Sequence, residues 1–101
     1  MHAVIISFRS SMPAGSLLDT MSATAPALLD VDGFVSKVWL RNGDTFGGSY
    51  LFDSEASATA YLGSPFVTGL GDNDAFHDVD VRTFDVIENL TAITAKQLVS
   101  T

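Results

Sequence analysis

Two short apolar runs separated by Asn42-Gly43-Asp44 commit the middle of this chain to a β-hairpin. The segment GFVSKVWLRNGDTFGGSYLF spans residues 33–52. An Asn-Gly or Gly-Asp pair between apolar runs is a strong short-range turn signal. Side chains two apart in a strand point the same way, so Lys37 and Trp39 share a face. A two-residue turn at Asn42-Gly43 or Gly43-Asp44 puts Tyr50 on that face too; a longer loop could reverse the parity. The second strand carries Gly47-Gly48 ahead of Tyr50 and Phe52. An ammonium, an indole N–H, a phenol and two positions without side chains suit a pocket floor better than core filling.

Elsewhere the order of elements follows from periodicity and breakers. His2 to Arg9 reads as a buried strand, rich in β-branched and aromatic residues. Ser10 to Gly15 is a loop by composition. Leu17, Leu18, Met21, Ala25, Leu28 and Leu29 recur at helical spacing, with Pro26 predicting a kink or a helix in two pieces. Ser54 is a candidate N-cap for a helix over Glu55 to Leu62, and Ser64-Pro65 opens a second one through Leu70. Gly69 to Asp74 reads as a polar loop. Asp78 to Ile87 is a last strand with Val79, Val81 and Thr83 on one face. A tail from Asn89 follows, with one or two helical turns through Ile93 and Leu98. The order β, α, β, β, α, β is the split βαβ, ferredoxin-like pattern: an α+β fold with helices on one face of a four-stranded antiparallel sheet. The other face, read as Phe34, Val38 and Leu40, is too apolar for water and predicts a homodimer.

Composition narrows the partners. A chain of 101 residues fits one domain, and 47% apolar residues against 17% charged argue against disorder. The net charge of −7 and the lack of clustered Lys or Arg disfavour nucleic acid and an anionic membrane surface. There is no cysteine, hence no disulfide, thiolate metal site or cysteine nucleophile. No run approaches the roughly 20 apolar residues of a membrane span. The apolar stretch after His2 is too short for a signal peptide core. A soluble cytoplasmic protein is the expectation.

The stretches Asp32-Gly33-Phe34, Lys37-Val38-Trp39, Gly47-Gly48-Ser49-Tyr50-Leu51-Phe52, the Ser54 to Leu62 helix and Phe84-Asp85-Val86 resemble the YdhR-type mono-oxygenase family. That family lies in the dimeric α/β barrel, antibiotic biosynthesis mono-oxygenase-like superfamily. The resemblance implies a homodimer whose two sheets face each other, each subunit holding its own pocket. It also implies an oxygenase without flavin, haem or metal, in which a deprotonated phenol or hydroquinone reduces O₂ itself.

On this reading Trp39, Tyr50 and Lys37 are the candidate catalytic residues. Gly47, Gly48, Phe52 and Tyr61 are the candidate contacts to a small apolar or aromatic substrate. Each has a structural alternative: Trp39 and Tyr50 as core aromatics, Lys37 with its stem lying along the sheet to water, the glycines as a β-bulge. His77 is a candidate general base, though a lone loop histidine is more often a surface residue. Asp72, Asn73, Asp74, Asp78 and Asp80 form an acidic cluster, but EF-hand spacing fails and no metal is expected. Haem-degrading members of the superfamily need an axial histidine on a helix, and residues 55–70 contain none. The rivals to an enzyme are a non-catalytic ligand-binding dimer and a purely structural one.

Overall fold

Alternation builds the first strand. In the computed structural model, which describes residues 1–95, β1 (His2–Ser10) buries His2, Val4, Ile6, Phe8 and Ser10 and turns the intervening residues outward. Helix α1 (Ala14–Thr24) starts directly after Pro13, earlier than the expected loop allowed. It ends where Pro26 cannot donate a backbone bond, and a 3₁₀ segment, Ala25–Asp30, carries the chain on. The helix in two pieces is as expected. Its stripe is narrower: Leu17 and Leu28 are buried, whereas Leu18 and Leu29 face water.

Strands β2 (Phe34–Asn42) and β3 (Thr45–Phe52) pair with Asn42 opposite Thr45. That leaves Gly43-Asp44 as a two-residue turn, with Gly43 at a φ of 62° that glycine adopts freely. The expected parity therefore holds. At the other end of β2 one expectation fails. The register slips between Phe34 and Ser36, so Val35 is an extra residue in a β-bulge. The bulge turns Phe34 to the helix side, where its ring lies 6.1 Å from that of Phe52. Phe34 belongs to the core and not to the open sheet face.

Ser54 caps α2 (Glu55–Leu62), its hydroxyl accepting from the Ser57 N–H. Helix α3 (Pro65–Asp72) runs past Leu70 and absorbs Gly69 and Gly71, which the sequence had placed in a loop. Strand β4 (Phe76–Asp85) begins and ends two residues before its expected limits, and α4 (Glu88–Thr94) includes Ile93. Leu98 lies outside the described residues. Three members of the acidic segment, Asn73, Asp78 and Asp80, make local contacts. Asn73 accepts from the Ala75 N–H, Arg9 pairs with Asp44 and Asp78, and Arg82 pairs with Asp80.

The strands form one antiparallel sheet in the order β2-β3-β1-β4, a ferredoxin-like α+β fold. The helices cover the face carrying Val4, Ile6, Tyr50 and Phe52. The opposite face leaves Ile5, Val38, Leu40 and Phe84 between 37% and 50% exposed. No helix among the described residues is long and apolar enough to cross a membrane.

Candidate functional site

Along β3 the side chains aimed at the helices are Phe46, Gly48, Tyr50 and Phe52. At Gly48 the row is interrupted, and there the core divides. Phe8, Leu17 and Phe46 pack on one side; Val4, Ile6, Leu28, Tyr50, Phe52, Ala58 and Tyr61 pack on the other. A cavity of about 300 Å³ lies between the two clusters. Its floor is Ile6, Phe8, Lys37, Trp39, Gly47, Gly48 and Tyr50; α1 adds Leu17, Thr20, Met21 and Thr24. Leu28, Tyr61, Pro65, Phe66, Gly69, Leu70 and Phe76 complete the walls.

The hairpin register places Lys37 directly opposite Tyr50, and Trp39 opposite Gly48. A Cβ at Gly48 would overlap Lys37 Cε, so the glycine makes the slot in which the lysine stem lies. The ammonium reaches back over the rings, 3.2 Å from the centre of Trp39 and 4.4 Å from that of Tyr50. No carboxylate pairs with it among the described residues, and none lines the cavity. Burial lowers its pKa to about 8. The two ring faces act in the opposite sense, favouring the cation.

Tyr50 and Tyr61 form a buried pair, the Tyr61 hydroxyl donating to that of Tyr50 at 3.5 Å. Burial raises both phenols above their ordinary range, so both remain protonated donors at neutral pH. Trp39, on the edge strand β2, is 40% exposed and lines the cavity with its inner side.

Six of the seven residues singled out from the sequence meet at this cavity: Lys37, Trp39, Gly47, Gly48, Tyr50 and Tyr61. Phe52 does not. It is fully buried one position beyond, stacked 6.3 Å from Tyr50, and packs the core instead of touching the hollow. His77 is exposed on β4 and is not among the lining residues, which removes it as a base for this cavity. The sequence reading missed the α1 wall. Thr20 and Thr24 flank Leu17 and Met21 at helical spacing, but apolar periodicity skips hydroxyl-bearing residues. His2, Glu55 and Asp85 bring donor atoms within 4.8 Å of one another; none of the three lines the cavity.

This geometry sits on a fold with known relatives. Residues 4–97 match the family described as "Putative mono-oxygenase ydhR". The chain belongs to that family. Among solved structures it is similar to NE2512, a protein of unknown function from Nitrosomonas europaea, at 20% identity, with 99% of this chain and 95% of that one covered and a TM-score of 0.71. It is similar to SnoaB, a cofactor-independent oxygenase from Streptomyces nogalater, at 13% identity, with 84% and 91% covered and a TM-score of 0.66. It is also similar to the heme-degrader MhuD from Mycobacterium tuberculosis, at 16% identity, with 86% and 96% covered and a TM-score of 0.64. At these identities the likeness establishes the fold. No curated protein sequence matches the chain.

Proposed function

We propose that this protein is a mono-oxygenase acting without flavin, haem or metal on a small aromatic or polyketide-like phenol held against Lys37, Trp39 and Tyr50. Family membership supports the reaction class. The observation that carries the site is an amine lodged between two aromatic faces in an apolar cavity, with no carboxylate partner among the described residues.

In the reaction the substrate supplies the electrons. A ring CH₂ conjugated to the phenol becomes C=O, one oxygen atom of O₂ entering the product and the other leaving as water. The residues prepare the substrate for this. With a pKa near 8, Lys37 is partly neutral at physiological pH and can take the phenol's proton. The ammonium so formed then stays beside the phenolate. Tyr50 and Tyr61 offer protonated hydroxyls to developing negative charge, and Trp39 gives the ring a flat surface. Gly47 and Gly48 line the cavity with backbone, and the space a side chain at Gly48 would take holds the Lys37 stem. The haem bound by one structural relative does not suit this donor set, since among the described residues no histidine or cysteine lines the cavity.

The open sheet face supports a homodimer. Ile5, Val38, Leu40 and Phe84 form an apolar surface that a second copy would bury, leaving each protomer its own cavity.

Oxygen uptake with dithranol, a phenolic anthrone, tests the reading on chelator-treated protein without added cofactor. Uptake above the buffer rate that scales with protein concentration is expected. Saturable dithranol binding with no acceleration of uptake would replace the enzyme by a ligand-binding protein.

A further inference from the structure

The feature of the cavity that oxygenation does not exhaust is the nucleophilicity of its amine. We propose that Lys37 also captures aromatic aldehydes, condensing with them to an imine held between Trp39 and Tyr50. This stands whether or not the cavity oxygenates a phenol.

Placement comes first. Lys37 lines a hollow of about 300 Å³, room for a one- or two-ring aldehyde, with its Nζ over the Trp39 and Tyr50 rings. Its stem is held there by the slot at Gly48, where any Cβ would overlap Cε. Reactivity comes second. An amine attacks carbonyl carbon only when unprotonated, and a carboxylate partner would keep it an ammonium. Among the described residues no carboxylate lines this cavity, and burial works toward the free amine. Persistence comes third. An imine reverts by attack of water, and the cavity walls are mostly aromatic and aliphatic.

The step balances simply. The lysine nitrogen forms a bond to the carbonyl carbon, giving a carbinolamine; the C–O bond then breaks and water leaves. Both protons of the neutral amine depart with that water. Tyr50 lines the same cavity with its hydroxyl kept protonated by burial, so it can donate a hydrogen bond to the leaving oxygen. The ligand ring takes a position beside the Trp39 and Tyr50 faces, which favours aromatic over aliphatic aldehydes.

The chain has three amines to compare: Lys37, Lys96 and the N-terminus. The folded protein is treated anaerobically with benzaldehyde and cyanoborohydride at neutral pH. The reduced adducts are then located by peptide mass spectrometry over time. Lys37 should label about ten-fold faster than Lys96 or more, as its lower basicity leaves far more free amine. Naphthalene, which is small enough for the cavity and has no carbonyl, should slow labelling at Lys37 and leave the rate at the N-terminal amine unchanged. In urea the preference for Lys37 should vanish, and Lys37→Arg should remove the adduct from its peptide only. Labelling of Lys37 no faster than Lys96, or labelling that naphthalene leaves unchanged, would overturn the proposal. Because no O₂ is present, the labelling measures imine capture alone, and oxygenation is read separately by dithranol-dependent O₂ uptake.

Discussion

The two faces of the β2–β3 hairpin are built from interleaved residues and differ in kind. On the helix side Lys37, Trp39, Gly48 and Tyr50 bring one amine, an indole and a phenol around a hollow. On the other side Val38 and Leu40 stand opposite Ser49 and Gly47, apolar and chemically plain. The first face carries the groups proposed to recognise something small. The second offers only area. A strand's period of two lets one short segment serve both purposes, and it makes them separable by mutation.

The sharpest way to break that separation is Val38→Glu. On the proposed homodimer it buries a carboxylate in the interface and should convert the protein to monomer or aggregate. Ligand binding in the soluble fraction should persist. Sedimentation equilibrium reads the mass directly, and a wild-type mass of one subunit at micromolar concentration would remove the open face from any role in assembly.

Tyr50→Phe probes the opposite face and should leave the mass alone. It keeps the ring and deletes one donor, so turnover should fall roughly ten- to a thousand-fold, the range for losing one hydrogen bond to a developing oxyanion. Stability should change by about 1 kcal/mol, the net worth of one hydrogen bond. Full activity in the folded variant would make Tyr50 a core residue only.

How far all this could be read in the sequence differs between the same two faces. Turn chemistry placed Lys37, Trp39 and Tyr50 together, because Gly43-Asp44 fixes the register and register fixes the face. The fold order was legible from breakers at Pro26, Ser54 and Pro65. Phe34 was misplaced, since a bulge at Val35 leaves no mark in the alternation of apolar residues. Phe52 shares the parity of Tyr50, and parity could not tell a lining residue from one packed just beyond the hollow. The position of Lys37 depends on a slot across the strand pair at Gly48, which requires the register before it can be seen.

A smaller effect sharpens the role of that lysine. Its folded pKa, about 8, lies below the ordinary value of 10.5, so the folded state binds this proton less tightly than the unfolded one. Stability should therefore be reduced below pH 8 and recover as pH rises from about 8 to 10.5. Lys37→Met should flatten that limb in denaturant titrations. The turnover of the wild type should rise with pH through about 8 as the amine becomes free, and the variant should lack this step. A limb at the same pH in Lys37→Met would assign it to another group.

Trp39 is the chain's single tryptophan and lies beneath the Lys37 amine, so its fluorescence reports on the site alone. Titration with para-nitrophenol, whose anion is yellow, measures whether the cavity holds a phenol oxygen on that amine. Saturable quenching is expected, with the bound ligand ionised at a pH where the free phenol is mostly neutral. Affinity should be about ten- to a hundred-fold weaker in Lys37→Met, the worth of one charge-assisted hydrogen bond. Absence of saturable quenching, or equal affinity in the two proteins, would contradict the account.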